Sequence, residues 1–145
     1  TSLATNIAFN IAKAYKRGRT HDGNEGAIEG GCVGFFSLEM SAGQLVQRIL
    51  SAESEIWLEK INRGKLEEYE MKQLYAKGIQ RLSEAKIFID DTAALNIFEL
   101  RAKCRRLKNK HDLGLIIIDY LQLMSGAGGN TNREQEISQI SRSLK

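Results

Sequence analysis

The sequence predicts an α/β domain, a mostly parallel sheet flanked by helices on both sides. Three observations lead there. The short apolar runs Cys32-Val33-Gly34-Phe35-Phe36, Ile87-Phe88-Ile89 and Leu115-Ile116-Ile117-Ile118 have the length and residue types of strands buried on both faces. Segments with apolar residues at helical spacing lie between them, and such alternation calls for crossover connections and a parallel sheet. The 145 residues, 42% hydrophobic and 27% charged, are enough for one domain with a real core.

The elements follow in order. Ala4, Ala8, Ile11 and Tyr15, with Ile7 and Ala14 beside them, mark a first helix ending near Gly18. The polar, glycine-rich stretch from Lys16 to Gly31 reads as a surface loop before the strand at Cys32. Ser41 and Gln44 form a capping-box signature, and Leu45, Val46, Ile49 and Leu50 give that helix its apolar face. A short amphipathic piece from Ile56 to Ile61 is broken at Arg63-Gly64-Lys65. Met71, Leu74, Tyr75, Ile79 and Leu82 mark a longer helix, and Trp57 is expected to pack against a helix. After the strand at Ile87, Asn96 and Glu99 open a helix with Ile97, Leu100, Cys104 and Leu107 inward. After the strand at Leu115, Ser125 to Asn132 is a small-residue loop. Thr131 and Glu134 then cap a final helix bearing Ile137, Ile140 and Leu144.

Composition narrows the function classes. No apolar run approaches the roughly 18 residues of a membrane span, and the amphipathic start lacks a signal-peptide cleavage pattern. Cys32 and Cys104 sit inside apolar patterns and lack the paired spacing of a zinc site, so they read as buried thiols in a reducing compartment. A net charge of +3 is compatible with a nucleic-acid partner without establishing one. The basic run Arg101, Lys103, Arg105, Arg106, Lys108 and Lys110 reads first as an exposed or subunit-facing helix face and second as a DNA surface. Asp90 and Asp91 read as a strand-end turn in preference to a second metal site, and His21 and His111, in polar loop contexts, take no role.

The chemistry is expected where open parallel sheets bind ligands, beyond the carboxyl ends of the strands. Two acids stand there. Asp119 follows four apolar residues, the Walker B pattern that holds Mg²⁺ through water beside a nucleotide's phosphates, and Glu39 follows Phe35-Phe36-Ser37-Leu38. Each alone has a plain alternative, as a capping aspartate or as a favourable charge at the next helix start; together, on one edge, they form a pair. No Gly-Lys-Thr or Gly-Lys-Ser occurs within the chain. Thr1, followed at once by helix, stands where the last residue of a phosphate loop would, its hydroxyl a Mg²⁺ ligand at a helix N-terminus. The second reading is that Thr1 is only an N-cap.

Several blocks then match one family. Phe35-Phe36-Ser37-Leu38-Glu39-Met40-Ser41 resembles the FSLEMS motif of DnaB-type replicative helicases. Ile89-Asp90-Asp91-Thr92, the run from Leu100 to Leu107, Ile116 to Leu123 and Ile137 to Lys145 are similar to that family's later blocks, in the same order. The likeness covers nearly the whole chain and is weakest at Lys16 to Gly31, where this sequence carries a longer stretch. It implies a RecA-like P-loop NTPase core, partial over 1–145, running from the end of Walker A through Walker B and the following helix. It also implies ATP and Mg²⁺ as cofactors and a ring homohexamer. The partners it implies are single-stranded and forked DNA, primase and a helicase loader, and the place it implies is the cytoplasm of a bacterium, nucleoid-associated at replication forks, with no membrane.

Carried across by position, Thr1 matches the Walker A threonine and Asp119 the Walker B aspartate. With the adjoining Ser2 they make the ATP-binding set, and Thr1 and Asp119 are the Mg²⁺ ligands, the aspartate through water. Glu39 matches the glutamate that activates the attacking water. The loop after Asp119 faces the channel in that family, so Gly126, Gly128, Gly129, Asn130 and Arg133 are the DNA candidates, against the alternative of a flexible tether. The chain opens and stops inside helical patterns, which reads as part of a larger protein. The Walker A lysine, a later glutamine motif, a second DNA loop and the arginine finger are not within it, so the 145-residue piece alone is expected to bind nucleotide weakly or not at all and not to turn over ATP. Competing readings are another ATPase of the same fold, recombinase-like or clock-type, and a non-catalytic ring-forming interaction module.

Overall fold

A computed structural model describes residues 1–124 and 133–144. Three parallel strands, β3 (Cys32–Ser37), β4 (Ile87–Asp90) and β5 (Leu113–Asp119), form a sheet in the order β4-β3-β5. The central strand β3 is buried along its whole length, as its unbroken apolar run requires. Alternate residues feed two cores. Val33 and Phe35, with Leu115 and Ile117, pack under α1 (Ser2–Lys13) and α2 (Ala42–Ser54) through Ala8, Ala12 and Leu45. Phe36 and Ile118 face the opposite side, against α6 (Ile97–His111) and α7 (Arg133–Ser143) through Leu100 and Ile140. Helices therefore cover both faces, as expected. Phe35 and Phe36, each 1% exposed, contribute about 1.5–3 kcal/mol apiece by burial.

The stretch from Lys16 to Gly31 is not a loop. It forms an antiparallel hairpin of β1 (Lys16–Arg19) and β2 (Glu25–Glu29), and α1 stops at Lys13, short of Gly18. The hairpin lacks the apolar alternation that would have announced it. Its ladder is reinforced instead by cross-strand charges, Lys16 to Glu29 at 2.5 Å and Arg17 to Glu25 at 3.4 Å. Its tip is closed by backbone bonds in both directions between Thr20 and the Gly23–Asn24 turn. The one branched apolar side chain, Ile28, lies over Gly18, where a Cβ would meet it at 2.9 Å.

The capping box expected at Ser41 forms, and the helix expected to open at Asn96 starts with one as well. The Gln44 amide donates to Ser41 Oγ at 3.2 Å and Ser41 N–H to Gln44 Oε1 at 3.1 Å, while Asn96 Oδ1 accepts from Phe98 and Glu99. The short piece after Ile56 is α3 (Leu58–Arg63), ended by Gly64. The longer helix is α4 (Glu68–Gln73), a π-segment (Leu74–Ile79) and α5 (Gln80–Glu84) in succession. Its packed face differs from expectation. Glu70 and Gly78 are buried and Leu74 and Leu82 half-buried, whereas Met71, Tyr75 and Ile79 are exposed. Glu70 is held inward by Lys60 at 2.5 Å and by the Glu67 amide, so a polar residue occupies the line that the apolar pattern assigned to Met71. The hydrogen bonds from Lys60 and Glu67 keep its carboxyl below the usual range.

Trp57 does not pack as expected; it is 81% exposed at the start of α3. Leu144, expected inward, is 42% exposed. His111 is not in a loop but ends α6, its ring 4.4 Å from that of Phe88. Cys32 and Cys104 are free thiols, and burial pushes both up from the usual thiol range. The basic side chains of α6 lie mostly on its exposed face, the exception being Lys103, which reaches Asp90 at 2.5 Å. The start of the final helix at Thr131 lies outside the described residues. No helix among the described residues is long and apolar enough to cross a membrane.

Candidate functional site

The sheet register places the two acids. Ser37, the last residue of β3, pairs with Asp119, the last residue of β5. The chain then turns, and the Leu38 amide donates to the Asp119 carbonyl at 2.9 Å. Glu39 follows, so Glu39 and Asp119 leave adjacent parallel strands at one edge, the carboxyl edge where such sheets bind ligands. Asp119 is half-buried and Glu39 exposed, and the peptide from Asp119 to Tyr120 is cis. No hydrogen bond or ion pair engages the Glu39 carboxylate among the described residues.

The start of α1 comes to the same edge. The Thr1 backbone nitrogen lies 4.0 Å from Asp119 Oδ2. Thr1 occupies the N-cap position, but its side chain makes no cap hydrogen bond; the cap position is tied by its carbonyl, which accepts from the Thr5 amide at 2.9 Å and from Thr5 Oγ1 at 2.8 Å. The Thr1 hydroxyl is thus not consumed in capping. Ser2 Oγ accepts from Arg48 Nη1 at 3.1 Å, on the α2 side, beside a cleft of about 400 Å³ that Asn6 and Ser51 also line. A twelve-residue helix directs its positive end here, which favours an anion.

The two candidate donors, the Thr1 hydroxyl and the Asp119 carboxylate, are both hard oxygens. Among the described residues no group of three or more His, Cys, Asp or Glu side chains gathers to hold an ion. Hard oxygen donors suit Mg²⁺, which takes one or two protein oxygens and completes its shell with water and phosphate. Asp90 is committed elsewhere, to Lys103 and the Thr92 amide. Asp91 accepts from the Ala42 amide, so both acids at the end of β4 are engaged by donors of the chain itself.

Two supports of the site were not legible in the sequence. Ser37 Oγ donates to the Met40 carbonyl at 2.6 Å, and the Leu38 to Asp119 bond ties the two strand ends together. A serine within an apolar strand was the one available signal. Of the DNA candidates, Gly126, Gly128, Gly129 and Asn130 lie outside the described residues. Arg133 begins α7, and its side chain is likewise outside.

Comparison with known proteins agrees across the chain. The family described as DnaB-like helicase C terminal domain matches residues 1–145. The replicative DNA helicase DnaB of Geobacillus stearothermophilus is 45% identical over 146 residues, covering 100% of this chain and 29% of that protein. The replicative DNA helicase DnaC of Bacillus subtilis is 44% identical over the same span, again with 29% of its length covered. Among solved structures, one described as an ATPase domain superposes with a TM-score of 0.81 at 28% identity, covering 99% of this chain and 46% of that one. A DnaB-like replicative helicase, solved with attention to its interactions with primase, gives 0.72 at 31% identity over 79% of this chain and 28% of its own. The chain spans under a third of the length of these curated relatives, and its α/β sheet is that of a RecA-like ATPase domain. With its fold and its full length both matched, this chain belongs to the DnaB-like helicase C-terminal domain family.

Proposed function

We propose that this chain is the central part of the ATP-hydrolysing domain of a replicative DNA helicase, with Glu39 as the base and Thr1 and Asp119 as the Mg²⁺ ligands. One observation carries the reading. Glu39 and Asp119 leave neighbouring parallel strands at one edge, tied by the Leu38 amide, with the N-terminus of α1 beside Asp119. Phosphoryl transfer asks the protein for positioning and charge compensation more than for covalent chemistry. The Thr1 hydroxyl and the Asp119 carboxylate would hold Mg²⁺, which when bound would supply positive charge to offset that of the phosphates. The exposed Glu39 carboxylate orients a water in line with the γ-phosphate and takes its proton as the water oxygen bonds to phosphorus and the β–γ bridging bond breaks. The amides of Thr1 and Ser2, at the start of α1, stand where phosphate oxygens are favoured.

On this reading the full-length protein acts as a ring hexamer on forked and single-stranded DNA, with a loader and primase as partners. The relative solved for its interactions with primase supports the last of these. Gly126, Gly128, Gly129, Asn130 and Arg133 are proposed as DNA contacts from their place after β5. In the full-length protein, Glu39→Gln is expected to abolish ATP turnover while sparing ATP binding, read by phosphate release and by nucleotide titration. Near-normal turnover would remove Glu39 from the base role.

A further inference from the structure

We infer that Asp91 is a positioning residue for Glu39, bracing the turn that carries it against the end of the neighbouring strand. The inference rests on the proposed role of Glu39 and deepens it.

Glu39 sits in the short turn between β3 and α2. Its carboxylate is exposed and unpartnered among the described residues, so its place is set by the backbone beneath it. That backbone is held at three points. Within the turn, Ser37 Oγ donates to the Met40 carbonyl at 2.6 Å. Toward β5, the Leu38 amide donates to the Asp119 carbonyl at 2.9 Å. Toward β4, the Ala42 amide donates to Asp91 Oδ2 at 2.8 Å, across 49 residues of sequence.

The third bond fills a gap. The first amides of a helix have no intrahelical acceptor. In α2 the capping box uses the amides of Ser41 and Gln44 and leaves that of Ala42 free for Asp91. The positive end of a thirteen-residue helix adds to the attraction for the carboxylate. The strand end that offers Asp91 is itself anchored. Asp90 accepts from Lys103 Nζ at 2.5 Å and from the Thr92 amide at 3.0 Å, fixing it to α6. The two adjacent acids thus divide the work. Asp90 holds its strand end to α6, and Asp91 holds the start of α2, so the Glu39 turn is strapped between β5 and β4. Because Asp91 is exposed, its bond adds little to global stability, and its effect belongs in the rate.

The test uses the full-length protein and measures steady-state ATP turnover together with melting temperature. Asp91→Ala is expected to lower kcat about tenfold or more, with KM for ATP within about twofold and melting nearly unchanged. Asp91→Asn keeps an oxygen acceptor and is expected to stay within about threefold of wild type. Ala42→Pro removes the donor instead. Proline is tolerated at the first helical position, and Ser41 already has the extended backbone (φ −66°, ψ 154°) that a following proline requires. It should reproduce the Asp91→Ala defect, and the double variant should be no worse than either single one. Wild-type kcat in Asp91→Ala overturns the inference, as does equal impairment in Asp91→Asn, additive losses in the double variant, or a defect confined to KM or melting. Glu39→Gln run alongside separates the two levels. If it turns over normally, the role of Glu39 fails and the brace with it. If it is inactive while Asp91→Ala is not, only the brace fails.

Discussion

Gly30→Ala should destabilise the chain far more than Gly64→Ala, although the two glycines share a backbone conformation. Their φ angles are +63° and +64°. Placing an L-residue in that region costs about 1–2 kcal/mol at either position. The accompanying loss of unfolded-state freedom, about 0.4–1 kcal/mol in the opposite sense, is also common to both. The surroundings differ. A Cβ at Gly64 meets nothing within 4 Å, whereas one at Gly30 would stand 2.5 Å from the Ile11 carbonyl oxygen and 2.6 Å from Ala14 C and Tyr15 N. Those are backbone atoms at the end of α1 and cannot rotate aside. Relief requires the end of α1 to shift from the hairpin, straining the Gly31 to Ile11 and Lys86 to Ala12 bonds, both 3.2 Å. Overpacking of this kind adds about 1–3 kcal/mol. Urea denaturation followed by circular dichroism should therefore show Gly30→Ala less stable than Gly64→Ala by about that margin. Equal losses would refute the argument, because they would mean that φ alone sets the cost.

Two further outcomes follow from charge and exposure. Partial burial pushes the Asp90 carboxyl up, but hydrogen bonds from Lys103 and Thr92 outweigh it and hold the group below the usual carboxylate range. Its stabilising contribution is then complete above about pH 5 and is lost as pH falls through the unfolded value and on through the depressed one, so the cost of Lys103→Met, about 1 kcal/mol at neutral pH after solvent screening, should shrink in urea titrations taken toward pH 3. A cost that grew on acidification would reverse that sign. Trp57→Ala, at a ring 81% exposed, should change stability by no more than about 0.5 kcal/mol, and a melting shift beyond a few degrees would show that the ring is covered in solution.

What the sequence made legible, and what it hid, divides along one physical line. Burial writes itself into residue type. The unbroken apolar run of β3 announced a strand covered on both faces, and Ser41 and Asn96 announced helix starts, because there local chemistry and tertiary outcome agree; the like run of β5 ends the three-stranded sheet instead, with Ile116 43% exposed. The hairpin at Lys16 to Glu29 was hidden for the converse reason. Its ladder is carried by backbone bonds and by charges, and charges on a solvated surface read the same whether or not they pair across strands. Met71, Tyr75 and Ile79 misled because they keep helical spacing while facing outward. The spacing reports that a helix has an apolar stripe; it does not report which stripe the core takes, and the Lys60 to Glu70 bond drew a neighbouring line inward. The candidate site shows both sides at once. That Glu39 and Asp119 end apolar strands was plain. That their strands are neighbours, in register at Ser37 and Asp119, depends on strand order, and no local pattern encodes strand order. Asp91 carries the point furthest. Its residue type suits a turn and gives no hint of a partner, yet it reaches an amide 49 positions away, at the helix that follows Glu39. The acids that could bind a ligand were marked by the strands before them, whereas the acid that aims one of them is marked only by where the chain returns.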